Sequence, residues 1–227
     1  MYNVLIECPT SGGQFMRTRV NTARTNKPMP YVIPDADFNS KLKAPEKNID
    51  FTKLFLTSGV EDFALPGYVT PHGYRLVKSL RNNQYRLIAE GDEPETVYLV
   101  ELRFRNDVVY GKQTCTQIKV WRTISSIHNA AVRELPRTFF SNLLKEYSIV
   151  VSDEEQTADG KRFWETMIDW SLNTGYFVYI SDGTQEDRPL SPVHSMSDFY
   201  NKWEKFCWGE DRDVHTHRLA VITKGAL

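Results

Sequence analysis

From Ser152 to Gly160 the chain sets Ser, Asp, Glu, Glu, Gln, Thr, Ala, Asp and Gly in succession, a turn crowded with side-chain oxygens. Carboxylates and hydroxyls packed this closely offer proton acceptors and hydrogen-bond partners to a polar ligand. The flanks give the turn a place in a fold. Upstream, Ser148-Ile149-Val150-Val151 is a short β-branched run that reads as a buried strand. Downstream, Phe163, Trp164, Met167, Ile168 and Leu172 recur at helical spacing, with Thr157 or Asp159 placed to cap the start and Gly175 to end the helix. Tyr176–Ile180 then reads as a second strand. The unit is strand, helix, strand, and the carboxyl end of its first strand is where open α/β sheets hold ligands. Asp153 is therefore a candidate general base, able to take a proton from an attacking amine. Ser152, Asp153 and Thr157 equally satisfy what a turn and a helix cap require by themselves.

Other chemistry is weakly represented. His215 and His217 share one face of a strand, but no carboxylate or thiol follows at a fixed spacing, so no metal site is expected. Cys8, Cys115 and Cys207 are odd in number and widely scattered, which suits reduced thiols rather than a disulfide framework. Nothing in the chain nominates a histidine partner for a Cys115 nucleophile. A phosphate-binding Walker loop, a dinucleotide fingerprint and a nucleophile elbow are all missing from the sequence; Ser11-Gly12-Gly13 is a turn.

The elements that must carry the turn follow from the pattern. With 227 residues, 41% hydrophobic and 25% charged, the chain can bury one sizeable core. No run approaches the roughly 18 apolar residues of a membrane span, and no basic leader precedes an apolar segment at Met1–Cys8, so neither a membrane nor secretion is expected. Net charge of −1 does not support wholesale binding to nucleic acid. The charge is uneven, however: Pro9–Pro34 carries Arg17, Arg19, Arg24 and Lys27 without an acidic residue, whereas Asp153–Asp213 is acid-rich. That segment reads either as a solvated polar arm or as one that docks on a protein partner, on phosphates or on a second copy of the chain.

Residues 1–75 are expected to form an extended arm and an irregular segment, with a strand at Met1–Glu7 and a helical turn or two near Asp50–Thr57. Residues 76–227 are expected to form the folded domain. Gln84–Glu90, Thr96–Phe104 and Thr114–Thr123 read as strands, with Asn106–Gly111 as a hairpin loop. Strict alternation in the third would place Cys115, Gln117, Lys119 and Trp121 on one face. A helix over Leu135–Tyr147 carries the stripe Leu135, Phe139, Leu143 and Tyr147, and Pro136 is tolerated in its first turn. A final helix is expected to open at Ser195 with Asp198 as a capping box and to bury Met196, Phe199, Tyr200, Trp203, Phe206 and Cys207; His217–Thr223 closes the order as a strand.

This order, with Ser152-Asp153-x-x-Gln156-Thr157-x-x-Gly160-x-x-x-Trp164, resembles the GCN5-related N-acetyltransferase (GNAT) superfamily, in particular divergent members encoded by tailed bacteriophages. The resemblance covers roughly residues 84–224 and leaves the arm aside. It implies an α+β fold on a mixed, mostly antiparallel sheet flanked by helices, with the third strand central and the strands after it splayed to admit a pantetheine arm. It further implies acetyl-coenzyme A as cofactor, direct attack of an amine on the thioester, and a host cytoplasm or virion setting. By the same resemblance the pyrophosphate turn falls at Arg133-Glu134-Leu135-Pro136-Arg137-Thr138, making Arg133, Leu135, Arg137 and Thr138 the cofactor-binding candidates. Pro136 and Thr138 stand where the family has small residues, and Pro136 removes an amide donor. A tyrosine that protonates the departing thiolate is sought at Tyr176 or Tyr179, beside Asp153 as base. The other reading is a non-catalytic descendant serving as a virion component or a binder of a host protein.

Overall fold

The structure, a computed structural model, describes residues 31–32, 40–109, 112–151, 155–156, 158–208 and 217–227. In chain order it runs through β1 (Tyr31–Val32), α1 (Ser40–Lys43), α2 (Pro45–Thr57), β2 (Val60–Asp62), β3 (Tyr74–Ser79), β4 (Gln84–Ala89), β5 (Glu95–Val109) and β6 (Lys112–Arg122). A 3₁₀ turn (Ser126–His128), α3 (Asn129–Val132) and α4 (Leu135–Leu143) lead to β7 (Ser148–Val151), β8 (Glu155–Gln156) and α5 (Ala158–Asn173). After β9 (Phe177–Asp182) and β10 (Leu190–Val193) come α6 (Met196–Asp198), a π-helical turn (Phe199–Trp203), α7 (Glu204–Cys207) and β11 (Arg218–Thr223). The segment predicted to be irregular up to residue 75 thus holds α2 and β2, and β3 begins within it. The strand expected at Met1–Glu7 lies outside the described residues, as does the basic arm apart from Tyr31–Val32.

Nine strands form one sheet in the order β10-β9-β11-β7-β6-β5-β4-β3-β2. All neighbours are antiparallel except β6 and β7, whose connection through α3 and α4 is long enough to bring the chain back to the same end before β7 starts. The fold is therefore the expected mixed α+β, a mostly antiparallel open sheet flanked by helices. A separate parallel ladder joins Tyr31 to Glu155 and Val32 to Gln156.

One face of the sheet is covered by α3, α4, α5 and the helical turns after Ser195. Leu76, Leu87, Val100, Leu102 and Cys115 meet Leu135 and Phe139 there, and Ile149, Val151, Val178, Ile180 and Ile222 meet Phe140, Trp164, Met167, Ile168 and Phe199. On the other face Phe55 of α2 lies on Val77 and Ile88, while Leu42 lies with Leu99 and Trp121. Arg86 is buried under α2 with its guanidinium 3.9 Å from the Phe55 ring centre, and burial lowers its pKa to about 10. Its Nε donates to Gln84 at 2.9 Å and a terminal nitrogen to Thr96 Oγ1 at 3.2 Å.

Two strands depart from simple alternation. The β5–β6 register steps from Glu101↔Lys119 to Leu102↔Gln117, so Ile118 is an extra residue, a bulge that reverses the faces beyond it. Cys115 and Val120 consequently pack on one side and Trp121 on the other, against the period-two expectation. The hairpin loop expected at Asn106–Gly111 is shorter, because β5 continues to Val109. Val108 and Val109 pay for that extension by packing on Val150, Leu219 and Val221.

The β9–β10 turn is tied by one carboxylate. Asp182 accepts from the Thr184 amide (3.1 Å) and hydroxyl (2.5 Å) and from Gln185 Nε2 (2.9 Å), with Arg218 Nε at 3.8 Å. Burial by itself would raise its pKa, but the hydrogen bonds from Thr184 and Gln185 and the Arg218 charge bring it below the ordinary 3.8. A depressed folded value means stability that is present above 3.8 and lost as pH falls through the folded pKa. Asp182→Ala should cost about 1–3 kcal/mol at neutral pH. In urea titrations its deficit against wild type should shrink in acid, and a deficit independent of pH would show that the turn does not depend on the ionised carboxylate.

Candidate functional site

The parallel pair is short. Its register runs from Thr114↔Ser148 through Cys115↔Ile149 to Thr116↔Val150, while β6 continues to Arg122 and β7 ends at Val151. Thr116↔Val150 is the last shared register, one residue before β7 ends, while β6 runs on beside β5 to Arg122. The Ile118 bulge, in the ladder with β5, falls just beyond that pair. Thr116 is buried, and its hydroxyl has no hydrogen-bond partner among the described residues. A buried hydroxyl without a partner forfeits free energy.

The predicted site residues do not gather at this end of the sheet. Asp153, with Ser152 and Thr157, lies outside the described residues. Tyr176 is part-buried against Trp170, ring centres 5.3 Å apart, and its amide donates to Ser171 O across Gly175, whose φ of +81° closes helix α5. It precedes β9 rather than belonging to it. Since β7 and β9 are both antiparallel to β11, they run the same way, and the amino end of β9 is the opposite end of the sheet from the carboxyl end of β7. Tyr179 accepts at its hydroxyl from the Leu227 amide at 3.2 Å.

The candidate pyrophosphate turn is helical throughout. Arg133 (φ −57°, ψ −52°) and Glu134 (φ −94°, ψ −11°) both have helical backbone between α3 and α4, and the helical path after β6 opens earlier, at Ser126. Leu135 is fully buried beside Phe139, and the Thr138 amide is spent on Glu134 O at 3.1 Å. Arg133 and Arg137 are both exposed, with Arg133 Nε 3.7 Å from Glu134. Cys115 is buried and its thiol is pushed up to about 12 by burial, so it holds no thiolate at neutral pH. His217 is exposed and its carbonyl accepts from the Gly183 amide; His215 lies outside the described residues. A cavity of about 170 Å³, lined by Leu56, Arg75, Ile88, Glu90, Gly91 and Pro94, lies at the far side of the sheet by α2.

One cluster of chemistry-bearing groups was not legible in the sequence. His128 is buried, with Nε2 on Glu95 Oε1 and Nδ1 2.8 Å from the Tyr74 hydroxyl. The Tyr74 ring stands perpendicular to the imidazole. Tyr74 begins β3, Glu95 begins β5, and His128 follows the end of β6, so topology gathers all three at the end of the sheet where β6 finishes. Tyr68 next to them donates to Ala131 O at 2.7 Å, and burial, helped by Tyr74, pushes its pKa up to about 12. The three residues share no spacing, and only the strand pairing brings them together.

No family model, curated protein or solved structure matches the chain significantly.

Proposed function

We propose that the protein is a divergent GNAT-like protein of the phage type that binds an acyl-coenzyme A beside the carboxyl ends of β6 and β7 and passes the acyl group to an amine. The observation that carries this reading is the parallel pair, three registers long, in an otherwise antiparallel sheet, with a helical crossover between its strands. Beyond Thr116, β6 has no strand partner on its β7 side among the described residues, and an extended amide-bearing arm such as pantetheine can pair with that edge as a further strand would. The acyl carbonyl would then stand near the bulge and the carboxyl end of β7. The amine attacks the carbonyl carbon, gives up a proton to a neighbouring base, for which Asp153 remains the sequence candidate, and the thiolate leaves with the electron pair of the C–S bond.

A second reading has its own support. With Thr138 N already bonded to Glu134 O and Pro136 lacking a donor, the Arg133–Thr138 stretch offers a poor amide cradle for a pyrophosphate. That favours a non-catalytic descendant, a virion component or a binder of a host protein. Calorimetric titration with acetyl-coenzyme A separates the two. Micromolar affinity, about −8 kcal/mol, is expected. Absence of binding heat at millimolar coenzyme would sink the acyltransferase reading and leave the binder.

A further inference from the structure

We propose that Glu95, His128 and Tyr74 form a proton relay in which the Tyr74 hydroxyl is the reactive group. A carboxylate, an imidazole and a phenol are joined in line by two hydrogen bonds, and the imidazole is sealed, its side chain 7% exposed against 28% for Glu95. The arrangement that satisfies all three has Nε2–H donating to Glu95 and the Nδ1 lone pair accepting from the phenol. Glu95 thus fixes the tautomer and steadies the imidazolium that forms when the phenol gives up its proton, the part a third group plays whenever a base activates a hydroxyl. A clasp between β3, β5 and the turn after β6 would need only hydrogen-bonding amides; placing a carboxylate and an imidazole there incurs desolvation that a purely mechanical link has no use for.

Toward an acyl donor the Tyr74 oxygen is the nucleophile: it bonds to the acyl carbon, its proton passes to His128 Nδ1, and the leaving group departs with the electron pair of its bond to that carbon and takes the proton back from the imidazolium. Tyr74 on β3 stands three strands from β6 in the sheet order, so this chemistry is separate from the acyl-coenzyme A site proposed beside β6 and β7.

Acetylation of the full-length protein by N-acetylimidazole, read residue by residue by peptide mass spectrometry, tests the relay without any coenzyme. There the acetyl carbon bonds to the phenol oxygen, the phenol proton passes to His128, the acetyl–nitrogen bond breaks, and the leaving imidazole takes that proton from His128. Tyr74 is expected to be modified faster than Tyr200, which is the more exposed of the two at 47%. Glu95→Gln and His128→Gln should each slow Tyr74 by about 10²-fold with Tyr200 unchanged. Equal rates at Tyr74 and Tyr200, or a Tyr74 rate untouched by Glu95→Gln in a protein that melts like wild type, would overturn the relay.

Discussion

Trp164→Ala should lower the free energy of unfolding by about 3–5 kcal/mol, the loss expected when a large, fully enclosed aromatic is truncated. Trp164 is 1% exposed and joins two helices: its ring centre is 5.9 Å from Phe140 on α4 and 5.3 Å from Phe163 on α5, with interplanar angles of 57° and 71°. Tilted and edge-on pairs of this kind add about 0.5–1.5 kcal/mol beyond area burial. The cavity left behind would sit over Ile149, Val151 and Ile168, in a wall of strand and helix side chains that cannot collapse cheaply. Equilibrium unfolding in urea measures the loss. A deficit below about 1 kcal/mol would mean that α5 is held to the sheet by something other than this aromatic cluster.

The same helix shows why part of the fold could be read from the sequence. Phe163, Trp164, Met167, Ile168 and Leu172 recur at helical spacing because one stripe of α5 faces an apolar sheet, and Ser148–Val151 reads as a strand because every residue of it is buried. Where burial is polar the signal fails. Helix α2 buries Asn48, Thr52 and Phe55 and exposes Leu54, so apolar spacing recovers only its last turns. Strand β10 was missed because Pro192 interrupts it, which an edge position tolerates. The bulge at Ile118 is equally silent: a register step depends on what the neighbouring strand does, and one strand's letters cannot report it.

For the candidate site the division is similar. The carboxyl end of β7 was marked by local composition, an apolar run followed at once by oxygen-bearing side chains. The edge of β6 beyond Thr116 needed the long-range pairing of β6 with β7, and the Glu95–His128–Tyr74 chain needed three strand ends brought together. Tyr176 illustrates the converse. Adjacent in sequence to a strand, it is carried to the other end of the sheet by the direction in which β9 runs.

Polar burial under α2 yields the second large effect. Asn48 behaves there like a piece of an additional strand: Oδ1 accepts from the Thr96 amide at 2.9 Å and from Thr52 Oγ1 at 3.1 Å, while Nδ2 donates to Thr96 O at 2.9 Å and to Leu42 O at 3.3 Å. The register of β4 and β5 skips Val97, so backbone groups at the start of β5 depend on partners outside the ladder. Asn48→Ala leaves the Thr96 and Leu42 carbonyls without this side-chain donor; the Thr96 amide keeps Thr52 Oγ1 at 2.9 Å. At about 1–3 kcal/mol for each buried polar group left unmatched, the expected loss is about 2–4 kcal/mol. Asn48→Asp separates hydrogen bonding from shape, since it keeps the acceptor, forfeits both donors and sets a charge against two carbonyl oxygens. Its folded-state pKa must rise, so any stability it retains is present below the unfolded carboxyl pKa and lost as pH climbs through the raised folded value. Urea midpoints for Asn48→Asp should therefore approach the wild-type value in acid and fall behind it at neutral pH. A variant equally stable at both would show that α2 rests on Phe55 and Leu42 alone.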